Sequence, residues 1–139
     1  MPQFRHLPAL ILAVVAVCCA SCGKADNRKP TFAVSGKVLD GTKPLANVAV
    51  VFHPVGDDGP KPRGKTDAEG VFSLTTYDTA DGAPAGEYRV TLELWLAGRP
   101  DEGPSNRLPA KLAKPESSGF QTTINTTPND LSPFNVRSK

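Results

Sequence analysis

Side chains able to do chemistry are few in this chain and unevenly placed. All three cysteines, Cys18, Cys19 and Cys22, cluster near the amino terminus, and none occurs further along. A Cys-x-x-Cys pair at 19 and 22 has the spacing of a redox couple or of half a metal site, but either chemistry needs a folded setting. Cys18 and Cys19 instead adjoin a run over 7–17 without a charged side chain, preceded by the single basic residue Arg5. That run is too short for a membrane-spanning helix, which needs about 20 apolar residues. It has the size of a signal-peptide core, about 7–15 residues after a positive start; as folded structure it would be a buried helix. A thiol emerging where such a leader ends, flanked by Ala20, Ser21 and Gly23, is placed for modification at a membrane surface.

Beyond the leader the chain offers a single histidine, His53. Nucleophilic or acid–base catalysis needs a positioned set of groups, so a lone histidine at a strand end reads as an exposed side chain. No catalytic, cofactor-binding or metal-binding residue is assigned, and the chain is expected not to be an enzyme. Asp57-Asp58-Gly59 and the 78–82 stretch carry oxygen donors, yet neither has the alternating acidic spacing and closing Glu of a calcium loop. Both read as turns. Tyr77, Tyr88 and Trp95 could form a sugar-stacking platform, but alternation sends Tyr88 inward. Trp95 alone points outward, as the candidate partner contact or as cover for a second packed layer. Sixteen Lys and Arg against 14 Asp and Glu leave a formal charge of only +2, too weak and too scattered to neutralise phosphates, so no nucleic-acid partner is expected.

The elements that must position these residues are strands. Fourteen prolines and 12 glycines in 139 residues break the chain into short runs whose apolar residues recur every second position. Strands are expected over 32–39, 48–53, 63–66, 71–76, 88–96, 120–124 and 131–136. Val34, Gly36 and Val38 share one face of the first, and Val48, Val50 and Phe52 share one face of the second. Tyr88, Val90, Leu92, Leu94 and Leu96 form one apolar face of the fifth. Asp67-Ala68-Glu69-Gly70 makes a tight turn, with Gly70 at positive φ. Residues 97–118 are expected as a long crossing loop, and Pro133 demands an edge position or a bulge in the last strand. Seven strands in this space predict an all-β, seven-stranded Greek-key β-sandwich. The expected organisation is a leader over 1–21, a polar tether over 22–30 and one domain over 31–139, large enough to fold without disulfides or metal.

Two resemblances extend this reading. Cys19-Ala20-Ser21-Cys22-Gly23 resembles the lipobox of bacterial lipoproteins, departing from it at Cys19, where Leu is usual. The resemblance implies cleavage before Cys22, a diacylglyceryl thioether on its sulfur and an acyl chain such as palmitate on the new amino group. Several chains anchor stably where one holds only marginally. It also implies a place in the cell envelope. With Gly23 rather than Asp after the cysteine, the expected site is the outer membrane, facing the periplasm or the cell surface. The blocks Val34-Ser35-Gly36-Lys37-Val38, Lys43-Pro44-Leu45-Ala46-Asn47-Val48, Thr66-Asp67-Ala68-Glu69-Gly70-Val71-Phe72 and Ala85-Gly86-Glu87-Tyr88-Arg89-Val90 resemble, in order, the carboxypeptidase regulatory-like domain. That family implies a transthyretin-like sandwich serving as a binding or scaffolding module. The alternatives are a carbohydrate-binding module, or a domain accessory to a separate envelope enzyme. The transthyretin-like hydrolases end in Tyr-Arg-Gly-Ser, whereas this chain ends Val136-Arg137-Ser138-Lys139, so their activity is not implied. Leu108-Pro109-Ala110-Lys111 and the 129–136 stretch also resemble small lipoproteins of this type. The expected partners are therefore a membrane, through the lipid, and an envelope protein or glycan.

Overall fold

The computed structural model describes residues 26–137. Cys18, Cys19, Cys22 and the leader expected over 1–21 lie outside the described residues, as do Ser138 and Lys139. The strands in chain order are β1 (Thr31–Phe32), β2 (Val34–Asp40), β3 (Lys43–Pro44), β4 (Ala49–Pro54), β5 (Arg63–Lys65), β6 (Val71–Ser73) and β7 (Ala83–Pro84). They continue with β8 (Gly86–Glu93), β9 (Trp95–Leu96), β10 (Ser105–Asn106), β11 (Phe120–Ile124), β12 (Asn129–Asp130) and β13 (Phe134–Asn135). A single turn of 3-10 helix, Ala110–Ala113, buries Leu112 and packs against β8.

Two sheets face each other. One runs β11-β8-β4-β5, and in the other β2 pairs with β3, β6, β12 and β13. β5 lies beside the β6 stretch, with Arg63 bridged to Thr75 just past the end of β6, so β4, β5 and β6 follow one another from one sheet to the other while β2 lies beside β6. That is the Greek-key order, and the molecule is an all-β sandwich. The period-two pattern explains the pairing of faces: Val34 and Val38, Val48, Val50 and Phe52, and Tyr88, Val90 and Leu92 all turn inward and are buried, as strand geometry requires. Phe52 sits at the centre. Its ring lies 6.3 Å from Phe72, 5.8 Å from Tyr88 and 6.3 Å from Phe134, distances at which aromatic pairs add to the burial itself.

Gly70 takes φ 74° in the turn before β6, where the Asp67 carboxylate accepts hydrogen bonds from the amides of Glu69 and Val71, both at 2.9 Å. Several expected bounds change: the strand expected over 63–66 ends at Lys65 and that over 71–76 at Ser73. The strand expected over 88–96 ends at Glu93, because its partner β4 begins at Ala49, opposite Glu93, and β11 reaches only to Val90. The loop expected over 97–118 holds β10 and the 3-10 turn. Of the strand expected over 131–136 only Phe134–Asn135, β13, forms; β12 precedes the expected range, and each runs parallel to β2. Five steps from Asn129 to Phe134 oppose four from Val34 to Val38, so one extra residue is absorbed at Ser132-Pro133, where a ladder amide is missing.

Candidate contact site

Trp95 stands on a short hairpin where β8 loses its neighbours. Past Glu93 neither β4 nor β11 accompanies the backbone, and the side chain of Asn106 bridges the gap before β9: its Oδ1 accepts from the Leu94 amide at 2.9 Å and from the Leu108 amide at 3.1 Å. The Arg107 amide donates back to the Leu94 carbonyl at 2.8 Å. β9 and β10 pair antiparallel, with Trp95 opposite Asn106 and Leu96 opposite Ser105, and the tip closes with the Glu102 amide donating to the Arg99 carbonyl at 2.8 Å. Trp95 is 55% exposed and Leu96 42% exposed. Leu96 was expected on the inward face. Beyond the end of the ladder there is no core for it to reach, and both side chains of β9 face solvent. The indole Nε1 of Trp95 donates to Glu93 Oε2 at 2.7 Å, a charge-assisted bond that fixes the ring's orientation.

The other aromatic candidates lie elsewhere. Tyr88 is buried, with its hydroxyl donating to the Pro84 carbonyl at 2.8 Å, and burial pushes its pKa up to about 12. Tyr77 accepts from the Lys29 amide at 3.2 Å and carries the Arg28 guanidinium 5.2 Å above its ring. No shared platform joins Trp95, Tyr77 and Tyr88. Arg28 and Lys29, expected in a polar tether, rest against the body, Arg28 on Asp78 at 3.4 Å and Lys29 on Asp57 at 2.8 Å. Both pairs are exposed and contribute little to stability.

His53 lies on the outer face of its sheet, with Nε2 3.0 Å from Thr91 Oγ1. Burial lowers its pKa, the charge of Lys61 adds to the lowering, and Glu116 opposes it. The Asp57 carboxylate is spent on Lys29 and on the Gly59 amide at 2.9 Å. Asp81 closes its turn by accepting from the amides of Thr76 at 2.7 Å, Tyr77 at 3.0 Å and Asp78 at 3.1 Å. Among the described residues no three His, Cys, Asp or Glu side chains come close enough to hold a metal ion. Nor is any helix among them long and apolar enough to cross a membrane.

The sequence singled out Trp95 but not Asn106, which ties the hairpin to Leu94 and Leu108, or Glu93, which holds the ring. The signal available was Asn106 ahead of Leu108, a side chain that mimics backbone, in a stretch too irregular to fix its partner.

The chain end leading toward Cys22 and the Trp95 hairpin occupy opposite poles of the sandwich. Thr31 pairs with Pro84, just before the first residue of β8, and Trp95 follows its last. At about 3.3 Å per residue, the eight residues of β8 separate the two poles by roughly 25 Å.

No family model matches the sequence, and no curated protein matches it. Among solved structures, a DUF3823 family protein from Parabacteroides merdae ATCC 43184 is similar at 16% identity and a TM-score of 0.41, over 76% of this chain and 45% of that one. A 9R-lipoxygenase from Cyanothece PCC8801 is similar at 21% identity and a TM-score of 0.39, over 76% of this chain and 16% of that one. The chain thus spans less than half the length of either, and neither likeness carries a functional statement to it.

Proposed function

We propose that this chain is a lipid-anchored, non-catalytic β-sandwich of the bacterial cell envelope that binds or scaffolds another envelope component. Its body is read as a carboxypeptidase regulatory-like domain of transthyretin type, anchored at the outer membrane through acyl chains on Cys22. The observation that carries the binding half is the Trp95 hairpin. An indole and a Leu96 side chain held out in solvent by Glu93 and Asn106 form an apolar contact that is already ordered, so little conformational entropy is lost when a partner covers it. The lipobox-like segment before Gly23 supports the anchoring half.

A second reading, a carbohydrate-binding module, is favoured by one specific contact. Glu93 fixes the indole edge through Oε2, which leaves a second carboxylate oxygen beside an exposed ring, the pairing that stacks a sugar and accepts its hydroxyls. Intact-mass spectrometry of the membrane-extracted chain tests the anchor: the expected species begins at Cys22 and carries diacylglyceryl and acyl mass. A soluble chain without fatty-acid mass would remove the anchor. A photo-crosslinker placed at position 95 in living cells tests the contact, with a discrete adduct expected there and absent when the probe is at exposed Thr126. A glycan array read with the wild type and Trp95→Ala separates the two readings.

A further inference from the structure

Among the described residues, the four-stranded sheet has one edge without a neighbouring strand, β11. Its other edge, β5, is three residues long, carries Arg63 and Lys65, and is bridged to Thr75. In the facing sheet β12 is two residues long, between Pro128 and Pro133. Shortness, positive charge and proline are the devices that stop sheet edges from pairing with other chains. β11 has none of them: Phe120, Gln121, Thr122, Thr123 and Ile124 are five residues without charge or proline.

The direction of its backbone groups follows from the neighbouring strands. Glu87 turns its carbonyl toward the β4 side, where the Val55 amide donates to it at 2.9 Å. Alternate residues of a strand point their amides and carbonyls to opposite sides. Tyr88 and Val90 therefore face β11, their partners Thr122 and Phe120 face back, and Gln121 and Thr123 aim their N–H and C=O groups outward. Both are exposed, and among the described residues neither backbone finds a partner beyond the sheet.

We propose that β11 pairs antiparallel with β11 of a second copy of this chain, about a two-fold axis beside Thr122, joining the two four-stranded sheets into one. The register is set by what flanks the strand. Centring on Gln121 would engage Gly119, whose φ of 77° is not extended. Centring on Thr123 would engage Asn125, whose amide and carbonyl are already held by the Asn129 side chain at 2.9 and 3.2 Å. Centring on Thr122 places Gln121 opposite Thr123 of the partner subunit and lets both pairs exchange two hydrogen bonds each.

Charge agrees with this arrangement. Gln121 lies beside Arg89 and Thr123 beside Glu87 on the outer face. Each row across the joint sheet then reads Arg89, Gln121, Thr123 of the partner subunit, Glu87 of the partner subunit, with opposite charges at its two ends. A parallel pairing through the same edge would turn one copy's sheet over and set its outer face beside the other copy's buried face. The proposal does not depend on the lipid anchor, since the same edge exists whether or not Cys22 is acylated.

The test uses the membrane-extracted chain in detergent and three single-cysteine variants oxidised in place. Sedimentation equilibrium with the detergent density-matched is expected to give twice the chain mass, and Thr123→Lys, which puts a charge on the edge, to return it to one chain with an unchanged circular dichroism spectrum. Thr122→Cys is expected to form a disulfide-linked dimer, while Gln121→Cys and Thr123→Cys, off the axis, give none above the wild-type background. A single-chain mass for the wild type throughout the micromolar range overturns the proposal. So does a dimer that persists in Thr123→Lys, or cross-linking centred at 121 or 123.

Discussion

At the residue scale, Asp81 holds its turn through one carboxylate that accepts from three amides. Burial works to raise its pKa, but the amides of Thr76, Asp78 and Tyr77 more than offset this and hold the carboxyl below its ordinary 3.8. Asp81→Ala strands those amides in a part-buried turn and is expected to cost about 1–3 kcal/mol, read as a lowered urea midpoint, with Asp81→Asn retaining part of the difference. A midpoint equal to wild type would mean that water replaces the carboxylate at no cost. His53 shifts in the same direction for a different reason: burial and Lys61 favour the neutral ring and lower its pKa from 6.5. An unfolded chain then binds more protons than the folded one between the two values, so stability is full above pH 6.5 and falls as pH drops through that window. The urea midpoint of the wild type is expected to decline on acidification below pH 6.5, and His53→Gln to flatten that decline. Asp81 adds a second loss only as pH falls through 3.8. Equal slopes for wild type and His53→Gln would show that the imidazole titrates alike in both states.

At the scale of elements, stability and contact separate onto different strands. Trp95 covers no core, so Trp95→Ala is expected to change unfolding free energy by no more than about 0.5 kcal/mol. Phe52→Ala, which empties the meeting point of Phe72, Tyr88 and Phe134, is expected to cost about 3–5 kcal/mol. Urea titration of both variants checks the contrast, and a large loss in Trp95→Ala would mean that the ring serves the fold. The same division explains what could be read from sequence. Alternation located β2, β4 and β8 with their buried faces, and the run of β11, since burial on one side of a sheet imposes period two. It could not show where β8 ends, because Leu94 and Leu96 continue the pattern after the ladder has run out, and only the start of β4 at Ala49 settles it. Pro133 announced a disturbance in the last strand. That only β13 forms there and runs parallel to β2 depends on Phe134 reaching the aromatic cluster, a long-range contact that no local pattern encodes. The candidate site was half legible in the same way: Trp95 stood out by type and position, while Asn106 acts through a contact across a 12-residue separation.

At the scale of the whole molecule, the two poles give the proposed anchor a direction. Arg28 and Lys29 are held at the pole where β8 begins, against Asp78, Tyr77 and Asp57, and few residues separate them from Cys22. An acylated Cys22 therefore draws that pole toward the bilayer and leaves Trp95 on the far side, roughly 25 Å further out by the rise of an extended strand. On the proposed anchoring, the hairpin would face away from the bilayer and toward a partner across the periplasm or outside the cell. Trp95 is the only tryptophan in the sequence, so its fluorescence reports this orientation without labelling. In proteoliposomes made with spin-labelled acyl chains, the emission of the lipidated protein is expected to match that in unlabelled vesicles, while a water-soluble quencher such as acrylamide reduces it freely. Quenching by the acyl-chain label would place the hairpin in the membrane, and the exposed indole and Leu96 would then be a second attachment to lipid in place of a contact for a partner.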